Sequence, residues 1–233
     1  MFRYVRNFHR FLASQLFYPI LLSSLLAMGF YVGRVLLSHS WVVYRNLVWN
    51  LFLAWVPYLF SVFASGLQRF LPRQWWMLLV PGAIWLAFFP NAPYLLTDFL
   101  HLEPRPYVPM WYDIGLLATF AWTGLFLGIA SLRIMQGLVR SYLGAIVGWL
   151  FAALALGLGG LGLYLGRFSR WNSWDLLIHP KSILIEVATR LVEPSSNLRF
   201  FGFVTMFSAF LLVCYLTFIS VHRTSEMDQS RQL

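Results

Sequence analysis

The chain has 233 residues, of which 60% are hydrophobic and 19% aromatic, while 11% are charged, with a formal net charge of +9. A soluble domain carries about a quarter charged residues, so the composition excludes a water-soluble globular protein and points to a single polytopic membrane domain. The basic residues sit in short clusters beside apolar runs, which fits membrane topology and anionic lipid rather than nucleic acid.

A bilayer core of about 30 Å needs about 20 apolar residues as helix. Six runs meet or approach this: 16–33, 46–64, 75–89, 114–130, 142–165 and 200–221. The expected fold is therefore an all-α, polytopic transmembrane bundle of about six spans with short interfacial helices. A basic interfacial segment (1–15) precedes one transmembrane domain (16–221), and a polar tail (222–233) follows it.

In residues 1–15, Arg3, Arg6 and Arg10 share one helical face and Val5, Phe8 and Leu12 another. That pattern suits an amphipathic helix on an anionic leaflet, or a solvated flank that sets topology. No small-x-small cleavage pattern follows Leu37, so the first apolar run reads as a retained helix.

The second run opens with Asn46 and Asn50, four apart and on one face with Pro57. An amide in hydrocarbon seeks a partner, so Asn50 is expected to bond another helix or a proline-freed backbone group; the other reading is a cavity lining. The third run is short and contains Pro81-Gly82. Pro90 ends it, Asn91 can cap a new turn and Pro93 suits that turn. There Asp98 and His101 lie three apart on one helical face, able to hold a divalent metal, act as an acid/base couple, or simply bond each other at the water boundary. Two ligands do not complete a zinc site.

Trp111-Tyr-Asp113 precedes the fourth run. Asp113 suits a first helical turn, and Trp and Tyr are ordinary interfacial anchors. Four GxxxG pairs (Gly29/Gly33, Gly124/Gly128, Gly144/Gly148, Gly162/Gly166) are read as internal helix packing. After the fifth run, Arg167 and Arg170 can snorkel to phosphates or grip an anionic lipid-linked ligand. Trp171 and Trp174 suit an aromatic belt or a protein-contact loop, whereas Asn172 and Asp175, with His179 one turn on, add polarity that anchoring does not need. Pro180 can open a helix with Leu184, Val187, Ala188 and Leu191 on one face and Glu186, Arg190 and Glu193 on the other, ended by Pro194. It is expected to lie on the outer membrane surface. The lone cysteine, Cys214, sits in an apolar run and excludes an intramolecular disulfide.

None of the six runs contains Asp, Glu, Lys, Arg or His, which disfavours a pump or proton-coupled carrier. Lys and Arg are denser in 1–15, 65–74, 131–141 and 222–233 than in the other connections, so both termini are expected in the cytoplasm. Asp98, His101, Asp113, Asn172 and Asp175 then converge on the outer face as a candidate polar or metal site, with Arg167 and Arg170 for anionic head groups.

Asn46-Leu-Val-Trp-Asn-Leu-Phe-Leu-Ala-Trp, Phe89-Pro-Asn-Ala-Pro-Tyr-Leu-Leu-Thr-Asp with His101-Leu102, Trp111-Tyr-Asp113 and Tyr164-Leu-Gly-Arg-Phe-Ser-Arg-Trp-Asn-Ser-Trp-Asp175 resemble the bacterial membrane-protein family catalogued as "domain of unknown function 1361", over about residues 45–220. The resemblance implies a protein of the bacterial cytoplasmic membrane and brings no activity, substrate or cofactor. Three readings follow. One is an outer-face site that binds or acts on an anionic or lipid-linked ligand. The second is a non-catalytic accessory protein that meets a partner through the Trp-rich loop. The third is a transporter of small solutes or lipid with a midplane cavity near Asn50, Pro57, Pro81, Thr119 and Thr123.

Overall fold

The computed structural model describes the backbone of Phe2–Arg231 and the side chains of 5–221. The side chain of Arg3, the polar side chains of the tail and residues 232–233 lie outside that description. Among the described residues there are ten α-helices: α1 Phe2–Ser14, α2 Phe17–Ser38, α3 Arg45–Phe70, α4 Leu79–Phe88, α5 Asn91–Tyr94, α6 Met110–Leu143, α7 Ala145–Arg167, α8 Asp175–Ile178, α9 Pro180–Val192 and α10 Leu198–Arg231. Among the described residues six segments are long and apolar enough to cross a membrane, and the chain is a multi-pass membrane protein with an all-α bundle fold.

The central element is α6, whose most apolar stretch is 67% buried, against 11% for α10. Around α6 pack α2, α3, the α4–α5 segment and α7, and α10 leans on α7. At 34 residues α6 overruns the expected 114–130 at both ends and takes in Tyr142, which the sequence reading placed in the next span. The break falls instead at Gly144, whose φ of 89° is a left-handed conformation that glycine adopts without steric penalty. A Cβ at Gly148 would lie 3.1 Å from that of Arg140, so the α6–α7 hairpin closes tightly.

The third span is not one helix. A 3₁₀ turn (Trp75–Leu78) leads into α4, then α5, then a second 3₁₀ run over Leu95–His101. Pro81, Pro90 and Pro93 each lack an N–H, so the regular ladder cannot run through them. Irregular backbone in a membrane domain must be buried in protein, and glycines of the neighbouring helices allow this. A Cβ on Gly124 would meet the Ala92 carbonyl oxygen, and one on Gly162 would run into the Pro90 ring. Gly128 and Gly166 approach Ala92 and Tyr94 at 3.3 and 3.1 Å by the same measure. Two of the four GxxxG pairs thus hold the broken span between α6 and α7.

In α1, Arg6 and Arg10 are exposed, as are Val5 and Phe8. Its other face meets the bundle: Arg69 lies over the Phe11 ring at 4.4 Å, and Arg133 donates to the Ser14 carbonyl at 3.1 Å. Helix α9 starts with Pro180 at its first position, as expected. Glu186 and Arg190 face the protein, bonding Ser169, Trp171 and Tyr164, while Leu184, Ile185 and Val192 are exposed. In a membrane setting apolar side chains can face lipid, and paired polar ones gain by turning inward.

Candidate functional site

At the end of the bundle formed by the α2 C-terminus, the α3 N-terminus and the α7 C-terminus, a polar network joins five elements. Its centre is Arg167, in the last turn of α7. The guanidinium donates to Thr97 Oγ1 from Nε (2.9 Å) and Nη2 (2.6 Å), and to Asp98 Oδ1 from Nη2 (2.6 Å). It also lies over the Tyr94 ring at 4.5 Å. Side-chain exposure is 9% for Arg167 and 7% for Asp98, so the ion pair is largely desolvated. The remaining Asp98 oxygen accepts from Asn50 Nδ2 at 3.2 Å. The expectation that Asn50 would bond a neighbouring segment is met, whereas Asn46 is exposed in the first turn of α3.

His101 Nε2 lies 2.7 Å from Arg167 Nη1. A guanidinium has only donors, so this nitrogen must accept and the ring proton resides on Nδ1. Asp98 and His101 are therefore brought together, with the guanidinium between them in place of a metal. Both Asp98 oxygens and one His101 nitrogen are engaged by protein groups. Among the described residues no three His, Cys, Asp or Glu side chains group as a metal would need.

Asp113 belongs to a second pair. Arg34 donates to it twice, Nε to Oδ1 at 2.7 Å and Nη2 to Oδ2 at 3.2 Å, with both side chains 1% exposed. Asp113 lies in the first turn of α6, as expected, and from there it closes α6 onto α2. The first apolar run ends at Gly33, one residue before Arg34, whereas α2 continues to Ser38 and carries this charge inside the helix. Arg34 also sits 4.9 Å from the Tyr44 ring centre, and the Tyr44 hydroxyl donates to the His101 carbonyl at 3.3 Å. Burial, and the charge of Asp113, push the Tyr44 phenol up, keeping it a neutral donor. The two ion pairs are thus linked through Tyr44.

Asp175 stands apart and is locally employed: its Oδ2 accepts from the Asn172 N–H at 2.7 Å and from Asn172 Nδ2 at 3.2 Å. His179 is exposed, with its ring 6.4 Å from that of Trp171. The five outer-face candidates therefore form three local arrangements rather than one ligand set. Asn91 does not cap; it occupies the first position of α5, and its Nδ2 donates to the Phe88 carbonyl (3.1 Å) and to Ser173 Oγ (2.6 Å). That last bond ties the broken span to the loop after α7.

Between these elements lies a pocket of about 290 Å³. Its lining includes Asn50 and Tyr94, which also touch the Asp98–Arg167 pair. Arg170, Asn172 and Ser173 line it from the loop, and Trp49 and Trp174 contribute aromatic surface. Arg170, at φ 60°, is exposed and makes no hydrogen bond or ion pair among the described residues, in contrast to Arg167. Behind the loop, burial pushes the Glu186 carboxyl up, but hydrogen bonds from Ser169, Trp171 and Arg190, with the charge of Arg190, outweigh it and hold the group below its ordinary value. The residues expected around a midplane cavity lie apart from this pocket, except Asn50: Pro57 is buried, and Thr123 is bonded to Ser23 at 2.6 Å.

Thr97, Tyr94, Arg34 and Ser173 were not legible as site residues, because each gains its role from a partner distant in sequence. Comparison with curated proteins and with solved structures finds no match. The family described as "Protein of unknown function (DUF1361)" matches residues 49–214, which take in the pocket and the Asp98–Arg167 pair, and the chain belongs to that family.

Proposed function

We propose that the protein binds the anionic head group of a lipid-linked ligand in the pocket beside Arg170, on the outer face of a bacterial cytoplasmic membrane with both termini inside. The observation that carries this reading is the contrast between two arginines three residues apart. Arg167 is neutralised by Asp98, whereas Arg170 has no acidic partner among the described residues and stands at the pocket lining. A guanidinium so placed is a ready phosphate donor. The Asp98–Arg167 pair braces the wall behind Asn50 and Tyr94. No metal enters the reading, since the guanidinium already supplies the positive charge between Asp98 and His101. The exposed Arg6 and Arg10 of α1 suit anionic lipid at the opposite leaflet.

The test is native mass spectrometry of the detergent-purified protein with phosphatidic acid, using diacylglycerol as the uncharged reference. Phosphatidic acid should bind preferentially, and Arg170→Ala should weaken it about tenfold, the scale of one charge-assisted hydrogen bond. Equal binding by Arg170→Ala would refute the assignment. A second reading, an accessory protein with a protein partner, draws on the 82% and 62% exposure of Leu177 and Ile178 in α8. A co-purifying subunit lost on Leu177→Asp would favour it.

A further inference from the structure

The hydrogen-bonding capacity left over in the pocket is not that of a simple phosphate site. Asn50 must turn its Nδ2 towards Asp98, because a carboxylate only accepts. Asn91 uses its Nδ2 on Phe88 and Ser173, and Asn172 uses its Nδ2 on Asp175. In all three the amide nitrogen is engaged, and the amide oxygen has no partner among the described residues. None of these oxygens is both buried and unsatisfied, so they remain open to a ligand or to water. A bare phosphate oxygen accepts and cannot use them. A hydroxyl donates to them.

The donors are of another kind. Ser173 Oγ accepts from Asn91 and so has its own proton to give. Arg170 is unpaired, and the indole N–H groups of Trp49 and Trp174 make no bond among the described residues. Both indoles belong to the pocket lining and stay partly exposed, at 53% and 36%. Acceptors and donors interleaved beside aromatic surface are the complement of a sugar ring. Its hydroxyls donate and accept at once, and its C–H faces pack on aromatics. A volume of about 290 Å³ admits a head group rather than a large ligand, being at the small end of the roughly 300–1,000 Å³ usual for ligand pockets.

We infer that the polar part of the ligand is hydroxyl-rich, the saccharide head group of a glycolipid, held by the amide oxygens of Asn50, Asn91 and Asn172 against Trp49 and Trp174. This rests on the pocket assigned above and names what fills it; Arg170 then serves either a phosphate linking sugar to lipid or a sugar hydroxyl.

Three lipids of matched acyl chains separate the two claims in native mass spectrometry of the whole protein: glucosyl diacylglycerol (hydroxyls, no charge), phosphatidic acid (charge, no sugar) and diacylglycerol (neither). Glucosyl diacylglycerol should bind at least tenfold more tightly than diacylglycerol. Asn172→Ala should weaken it several-fold to tenfold, the effect of one lost hydrogen bond. Trp49→Leu should weaken it comparably without disturbing the fold, because the side chain is half exposed and its indole N–H is unbonded; a thermal melt verifies this. Glucosyl diacylglycerol binding no better than diacylglycerol, or binding unchanged in both variants, overturns the saccharide assignment. If phosphatidic acid alone binds, and needs Arg170, the sugar claim falls while the anionic-head-group reading stands. If the glucosyl lipid alone binds, the sugar claim stands and the anionic reading falls. If neither exceeds diacylglycerol, both fall.

Discussion

Replacing Asp113 with Ala would leave the Arg34 guanidinium with its charge, no counter-ion and almost no contact with solvent. Both side chains are 1% exposed, and Arg34 Nη1 already lacks a partner, so the site has no spare acceptor to absorb the loss. Removing one member of a buried pair destabilises by about 3–5 kcal/mol. An ordinary interhelical hydrogen bond in a membrane protein contributes only about 0.6 kcal/mol, and the gap between these magnitudes makes the experiment decisive. Neutralising both members should be far milder: Arg34→Met with Asp113→Leu should lie within about 1.5 kcal/mol of the parent, because buried ion pairs often do no better than apolar replacements of similar volume. The resulting coupling, about 2 kcal/mol or more, is measurable by a double-mutant cycle built from Arg34→Met and Asp113→Leu, singly and together. Reversible unfolding in mixed micelles of rising dodecyl sulfate fraction, followed by tryptophan fluorescence, gives each value. If Asp113→Ala unfolds within about 0.5 kcal/mol of the parent, Arg34 is solvated and the α2–α6 closure described above is wrong.

Other outcomes follow from the same packing. Gly124→Val should destabilise by about 1–3 kcal/mol, because the added carbons meet the Ala92 backbone, which cannot swing aside. Gly137→Ala, where nothing lies within 4 Å, should instead stabilise α6 by up to about 1 kcal/mol in the same assay. Arg167→Lys should unfold more easily and weaken ligand binding, since a single ammonium cannot reproduce the planar fork that reaches Thr97, Asp98 and His101 together; matched behaviour of the two proteins would show the fork to be unimportant. The folded-state value of Glu186 is lowered, so its contribution is present at neutral pH and lost as pH falls through that lowered value, below the usual carboxylate range near 4. Melting temperatures across that range should therefore fall less steeply for Glu186→Gln than for the parent, and parallel curves would remove Glu186 from the account.

The bundle itself was readable in the linear chain. Hydrophobic transfer free energy sums over neighbouring residues, so six apolar runs announce six membrane segments wherever they finally sit. Pro180 likewise marked the start of α9, and Asn50, alone among apolar neighbours, announced its need of a partner. Boundaries were less legible: α6 continues past its apolar run to Leu143 because turn geometry at Gly144, not hydropathy, ends it. Asn91 suited a cap by residue type, but its amide was drawn to Ser173, 82 residues away. What only the tertiary structure decided is who neutralises whom. Asp98 meets Arg167 69 positions on, and Asp113 meets Arg34 79 positions back. Equivalent acids and bases had been grouped by side of the membrane alone. Ion pairing is set by separations of a few ångström in space, and local periodicity carries no information about which distant helix ends will meet. Whether Arg167 or Arg170 remained free for a ligand, and whether Asp98 was open to a metal or already satisfied, depended on packing the glycines of α6 and α7 around a proline-broken span.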